Sequence, residues 1–260
     1  MTYTNIVVEE TAPSCVISIN RPEKRNSLSK ATIDEIADAI RSADANPAIR
    51  GIIITGSDRF FSSGADLNEA LEVKSVKDGD AFFGRANRLC ELIETVSKPV
   101  IAAIEGFCIT GGFELALACD IRIGAKGSSY AITSSRIGTV AGFGGTQRLP
   151  RIAGAGNALE ILFLAEPIEA EHAFRIGILN RLVEKTQAVS EARKMVDVFA
   201  KRGPISLEFA KRAVHRGMQM DLRSAIDFEF SLVTAIYGTD DKREGVSAFL
   251  EKREAKFTGR

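Results

Sequence analysis

Histidine occurs only twice in the 260-residue chain, at His172 and His215, each in a polar, helix-like setting. With so few imidazoles, a histidine-based triad or a metal site is not expected. Cysteine is scarce as well. Cys15, Cys90, Cys108 and Cys119 follow no metal or redox spacing and all fall in apolar runs, which reads as buried free thiols in a reducing compartment. Net charge is missing too. Acidic and basic side chains balance at 34 each, so no overall field draws nucleic acid or an anionic membrane, although local basic clusters remain available to an anionic small molecule. No apolar run approaches the length of a membrane span, and residues 2–10 are too polar and charged for a secretory signal. The expectation is a soluble, cytoplasmic protein with neither a nucleic-acid nor a membrane partner.

What is present is enough apolar content, 45 %, for a sizeable core. The length suits one large domain, or a core with a small appendage. Residues 6–8 and 15–19 read as a hairpin around Ala12-Pro13-Ser14. Residues 21–26 form a charged loop. Residues 29–45 make an amphipathic helix, with Ser29 as N-cap and Ile33, Ile36, Ala37, Ile40 and Ala43 on one face. Residues 51–55 (GIIIT) and 100–104 are continuous apolar runs, expected as strands covered on both sides. Residues 67–80 are mixed and charged. A helix is expected over 81–96, a strand over 120–125, a loop over 128–145, and a last short strand over 181–184. From residue 186 onward only helical patterns follow (187–202, 204–216, 221–237, 241–254). Strands and helices alternate first and helices alone close the chain, which predicts an α/β core, residues 1–200, with a helical C-terminal domain, residues 201–260.

The chemistry concentrates in residues 104–120, IEGFCITGGFELALACD. The chain turns at Gly106, carries the Gly111–Gly112 pair, and continues as a short apolar helix with one carboxylate, Glu114. A helix that starts on glycine offers unpaired N–H groups and the positive end of its dipole, with no side chain in a ligand's way. Glu114 among apolar neighbours has either a partner, such as Arg122, Arg136 or Lys126, or a chemical task. The small residues of the loop 60–66 (FFSSGAD) could admit a ligand to their backbone, but on spacing alone an ordinary strand-to-helix turn is the better reading. The loop 142–148 (GFGGTQR) lacks the lysine followed by serine or threonine that ends a phosphate-binding P-loop and reads as a turn before a helix.

Six ordered segments resemble the enoyl-CoA hydratase/isomerase (crotonase) superfamily: RPEKRNSL (21–28), FFSSGADL (60–67), residues 98–123, GFGGTQRLPR (142–151), AFRIGILNRLVE (173–184) and DDKREGVSAFLEKR (240–253). The resemblance implies a spiral of ββα units with a C-terminal helical trimerisation domain, assembled as homotrimers or as hexamers made of two trimers. It implies an acyl-CoA thioester ligand, with coenzyme A as part of the substrate and no separate cofactor. The thioester oxygen would lie in an oxyanion hole of two N–H groups, matched here by Ala65 and Gly111, in a step of fatty-acid metabolism such as β-oxidation. CoA-binding positions would be Lys24, Arg25, Ser27, Ser63, Ala65, Asp66 and Leu67, with the backbone of Ser62 and Ser63. Phe249 and Lys252 would reach the adenine end, often from a neighbouring subunit.

One position departs from the pattern. Hydratases of this superfamily use two glutamates, of which Glu114 matches the first. The second falls on Ser134, within AITSSRIG, and a serine is no general acid or base near neutral pH. Ser134 or Ser135 could instead hold a water or a polar acyl group. The leading expectation is hydration of a 2-enoyl-CoA, or the reverse, by Glu114 with the Ala65/Gly111 hole. The alternatives are a hydrolase or C–C bond-cleaving enzyme of the same family, and a non-catalytic acyl-CoA-binding protein.

Overall fold

The computed structural model describes residues 3–260. Strands β1 (Ile6–Thr11) and β2 (Ser14–Ile19) pair as an antiparallel hairpin. Helix α1 (Lys30–Ala45) then crosses to β3 (Gly51–Thr55), which runs parallel to β2. Ser29 caps α1 by accepting the N–H of Thr32 at 3.2 Å, and the face expected from the sequence is the buried one.

A repeated unit follows. β3 leads to β4 (Phe60–Ser62) and to helices α2 (Leu67–Leu71) and α3 (Val76–Thr95). Strand β5 (Val100–Ile104) leads to β6 (Phe107–Ile109) and α4 (Gly111–Ala118). Strand β7 (Ile121–Ala125) leads to β8 (Ser129–Ala131), the 3-10 turn Ser134–Ile137, and helices α5 (Gly145–Ala153) and α6 (Ala155–Leu164). The pair β9 (Ile168–Glu169) and α7 (Ala170–Arg175) precedes β10 (Arg181–Val183) and α8 (Ala188–Phe199). The first three units each send their first strand to a six-stranded sheet, β1-β2-β3-β5-β7-β10, and their second to a four-stranded sheet, β4-β6-β8-β9, while β9 closes the small sheet and β10 the large one. This is the expected ββα spiral.

Burial explains why β3 and β5 read as unbroken apolar runs. Ile52, Ile54, Val100, Ala102 and Ile104 join the main core with α1 and α3. Ile53, Ile101 and Ala103 face the other way, onto Ala188, Ala192 and Val196 of α8. Both sides of the sheet are covered, so alternation disappears. Each fully buried isoleucine contributes about 1.5–3 kcal/mol.

Helices α9 (Pro204–Gly217), α10 (Leu222–Ile236) and α11 (Asp240–Glu251) close the chain. A polar pin fixes α9 to the core. Lys211 Nζ donates to the carbonyls of Ile93 (2.7 Å) and Lys98 (3.0 Å) and pairs with Asp120 Oδ2 at 2.9 Å, while His215 Nε2 meets Asp120 Oδ1 at 2.8 Å. Large apolar side chains on these helices stay uncovered, among them Leu222 (77 %), Phe230 (71 %) and Phe249 (81 %).

The structure differs from the sequence reading in two places. The second sheet was implied by the resemblance but invisible in the residue patterns, because its strands are two or three residues long and a period of two has no room to register. The charged stretch 67–80 holds α2 and the first turn of α3, which starts at Val76 rather than at residue 81. Its N-cap, Ser75, accepts the N–H of Asp78 at 3.2 Å. That first turn is exposed, so its sequence lacks the apolar period that starts at Phe82.

Candidate active site

Strand β6 delivers the chain to Thr110, whose φ of 44° and ψ of −112° are strained for a residue with a Cβ, at a cost of about 1–3 kcal/mol. Three bonds hold it there. Its N–H donates to Ala131 O (2.7 Å), its hydroxyl shares a hydrogen bond with that of Thr133 (2.9 Å), and the same oxygen accepts the Thr133 N–H (3.1 Å). This kink starts α4 directly against β4. A Cβ on Gly112 would lie 2.5 Å from Ser62 Cβ and 2.8 Å from Ser62 O, so the second helical residue must be glycine.

Two backbone N–H groups result with no acceptor among the described residues. Leu28 N–H donates to Gly64 O and Asp66 N–H to Leu28 O, which leaves the N–H of Ala65 between them free. Gly111 opens α4, where the first N–H groups have no intrahelical partner. The groups are neighbours: Ala65 N lies 3.2 Å from the point a Gly111 Cβ would occupy. Both residues line a cavity of about 630 Å³.

Glu114 lines the same cavity and is 1 % exposed. Its Oε1 accepts the N–H groups of Phe143 (2.7 Å) and Gly145 (2.8 Å) at the N-terminus of α5. Among the described residues, none donates to the other carboxylate oxygen. Burial pushes the acid above its ordinary value. The Gly145 and Phe143 N–H groups and the charge of Arg148 oppose that rise without cancelling it. None of the three cations considered from sequence touches it. Arg122 donates to Cys119 O and Ile178 O, Arg136 pairs with Glu166 at 2.5 Å, and Lys126 pairs with Glu184. Neither histidine lines the cavity.

Ser134 lines the cavity as well; it is buried, and its hydroxyl has no hydrogen-bond partner among the described residues. Ser135 is committed elsewhere, donating to Leu162 O at 3.2 Å. Apart from Ser63, Thr110, Thr133 and Thr139, the rest of the wall is apolar or glycine. Leu71, Val73, Ile137 and Val140 line it, together with a Phe82–Phe83–Phe143 cluster whose ring centroids lie 5.1–6.4 Å apart.

A second groove of about 850 Å³ adjoins the first at Ser63, Ala65 and Leu67. Lys24, Arg25, Ser27 and Asp66 also line it. Lys24 and Arg25 are exposed, and their turn is tied to β4 by Asn26 Nδ2 donating to Phe60 O (2.8 Å). Asp66 and Ser27 face inward. Asp66 pairs with Arg21 at 3.2 Å, accepts the Ser27 hydroxyl at 3.3 Å and caps α2 through Asn68 N–H. The Ser63 N–H is also occupied, donating to Arg25 O at 3.0 Å, and Ser62 is wholly buried. Phe249 and Lys252, at the end of α11, line neither cavity. The positions that sequence reasoning missed are those that hold Glu114, the backbone of Phe143 and Gly145 with Arg148 behind it. The glycine cluster before α5 was the available signal.

Comparison with known proteins gives one result along the whole chain. The sequence model described as enoyl-CoA hydratase/isomerase matches residues 9–260. The crotonyl-CoA hydratase of Syntrophomonas wolfei subsp. wolfei is 39 % identical over 258 residues, covering 99 % of each chain. The short-chain-enoyl-CoA hydratase of Clostridium acetobutylicum is 34 % identical over 98 % of this chain and 97 % of its own. The crystal structure of an enoyl-CoA hydratase from Bacillus anthracis superposes with a TM-score of 0.93 at 34 % identity, covering 99 % of this chain and 100 % of that one.

Proposed function

The chain belongs to the enoyl-CoA hydratase/isomerase family, and within it we propose that the protein adds water to a 2-enoyl-CoA thioester, or removes it in reverse. The observation that carries this reading is a buried carboxylate, anchored through one oxygen, that lines the same cavity as Ala65 and Gly111, whose N–H groups are unpaired among the described residues. The thioester oxygen accepts from Ala65 and Gly111. Glu114 takes a proton from water as the oxygen of that water bonds to C3. The C2–C3 π electrons move toward the carbonyl, and the resulting enolate oxygen is stabilised by the two N–H groups and the start of α4. Glu114 then returns the proton to C2 and the carbonyl re-forms. Burial, which raises the affinity of Glu114 for a proton, suits it to both halves. Ser134, with its free hydroxyl, steadies the water.

The apolar wall supports a hydrocarbon acyl chain. The groove beside Lys24 and Arg25 supports the CoA nucleotide, with the two cations on its phosphates and Ser27, Ser63, Asp66 and Leu67 shaping the channel. We divide the chain into a core, 1–200, which α8 completes by packing on the sheet, and a helical domain, 201–260. The uncovered apolar side chains of that domain support a homotrimer or a hexamer of two trimers, in which Phe249 and Lys252 reach a neighbour's CoA. Four free buried cysteines support a cytoplasmic setting, and the chemistry supports a step of fatty-acid metabolism such as β-oxidation.

Crotonyl-CoA tests the reading. The conjugated thioester absorbance should fall without release of free thiol, and Glu114→Gln should lower the rate about 10²–10⁴-fold. Ser134, standing where a second carboxylate was expected, favours one alternative: attack of the same water on the thioester carbonyl. Release of free CoA would establish that hydrolysis. Unchanged absorbance across a panel of straight, branched and cyclic enoyl-CoAs would overturn the hydratase reading.

A further inference from the structure

We propose that Arg148 is a positioning residue for this reaction, bracing the Phe143–Gly145 turn whose N–H groups hold Glu114 and joining it to α3. The inference rests on Glu114 being the acid–base group. One guanidinium spans three parts of the structure. Its Nε pairs with Glu94 of α3 at 2.6 Å, and one terminal nitrogen donates to Phe143 O at 3.0 Å. The peptide unit behind that carbonyl belongs to the residue whose own N–H reaches Glu114 Oε1. Asn87 of α3 adds a second strut, donating to Gly142 O at 3.0 Å. The turn that fixes Glu114 is therefore held from α3 by two side chains, and only Arg148 brings charge.

That charge matters because the cavity has one carboxylate rather than two. A single acid–base group must present the same oxygen, at the same height, for both proton transfers. Arg148 also favours the ionised form of Glu114, which is the form that takes the proton from water. The other titratable groups packed around Glu114 are few. Cys90 of α3 is held neutral by burial, which pushes it up to about 12, and burial likewise raises Cys108 of β6. Glu94 is already paired with Arg148. Helix α4 carries no other charge, and β4 carries none.

The test is the pH dependence of crotonyl-CoA hydration. In Arg148→Met, kcat should fall about 100-fold, and the acid limb of kcat/KM should move to higher pH, because Glu114 loses the charge that favours its ionised form. Arg148→Lys keeps the charge but not the fork, so kcat should fall while the limb stays. Glu94→Gln removes the opposing carboxylate, so the limb should move to lower pH, which keeps the proposal testable if Arg148→Met does not fold. Arg148→Met with an unmoved limb, or Glu94→Gln with a limb moving upward, would overturn the proposal, as would a lower melting temperature with normal kinetics. Failure of the underlying reading is separate: it would appear as Glu114→Gln keeping wild-type hydration.

Discussion

Adding one methyl group at Gly145 isolates the anchoring of Glu114. A Cβ there would lie 2.8 Å from Glu114 Cγ and 2.9 Å from Oε1. An ordinary contact needs about 3.5 Å, so the glutamate side chain must retreat by about half an ångström or more. The Gly145 N–H···Oε1 bond, 2.8 Å long, is then stretched toward the outer limit of about 3.2 Å. The backbone does not object, since Gly145 is the first residue of α5 and lies outside the left-handed region. There alanine gains about 0.4–1 kcal/mol through the unfolded chain, against an overpacking cost of about 1–3 kcal/mol. The net destabilisation is about 0–2.5 kcal/mol, which leaves a protein of ordinary stability folded. The misplaced carboxylate should nevertheless lower kcat about 100-fold. Steady-state hydration of crotonyl-CoA, beside urea unfolding, measures both. Gly156→Ala is the control: its Cβ would meet nothing within 4 Å, so stability should rise slightly and activity stay unchanged. A folded Gly145→Ala enzyme within twofold of wild-type kcat would refute the reasoning.

Three other outcomes are expected. Because burial raises Glu114 above its ordinary value of 4.5, the stability it lends is fully present below pH 4.5 and lost as pH rises through the folded-state value; Glu114→Gln should unfold at higher urea than wild type at neutral pH, and the gap should close in acid. The double substitution Lys24→Ala, Arg25→Ala should raise KM for an enoyl-CoA about 10-fold by removing two charge-assisted contacts, yet leave KM for the pantetheine thioester, which lacks the nucleotide, unchanged. Hydration in D₂O should add the C2 deuterium and the C3 hydroxyl to the same face of the double bond, because one carboxylate serves both transfers; proton NMR of the product would detect opposite-face addition, which excludes a single acid–base group.

Much of this site was legible because its key parts are local. Gly111 and Glu114 share one short helix, and Ala65 sits in a loop of small residues after a buried strand. Their residue types announce an open backbone and an unexplained acid. The support was not legible, because it is distant in sequence: Phe143 and Gly145 are 29 and 31 positions from the carboxylate they hold. Asp66 illustrates the converse. It stands in a motif associated with ligand binding, yet its side chain caps α2 and pairs with Arg21, and spacing cannot tell a carboxylate turned inward from one turned toward a groove.

The glycine-rich turn before α5 unites these points. In sequence it resembles a phosphate cradle without the lysine, and in space it is an anion site at a helix N-terminus. The anion it holds is the chain's own, Glu114, brought in by α4. In the proposed mechanism, that arrangement is what lets one carboxylate suffice. Both backbone donors go to the same oxygen, which anchors the group and leaves the second oxygen for the proposed proton transfers. With two catalytic acids, each could be tuned to one step. Here desolvation and the helix terminus pull the same group in opposite directions, a balance that the proposed use of Glu114 as base for water and then acid for the enolate carbon draws on. In that proposal Ser134 has no proton to supply, and a hydroxyl that only orients water is enough at that position.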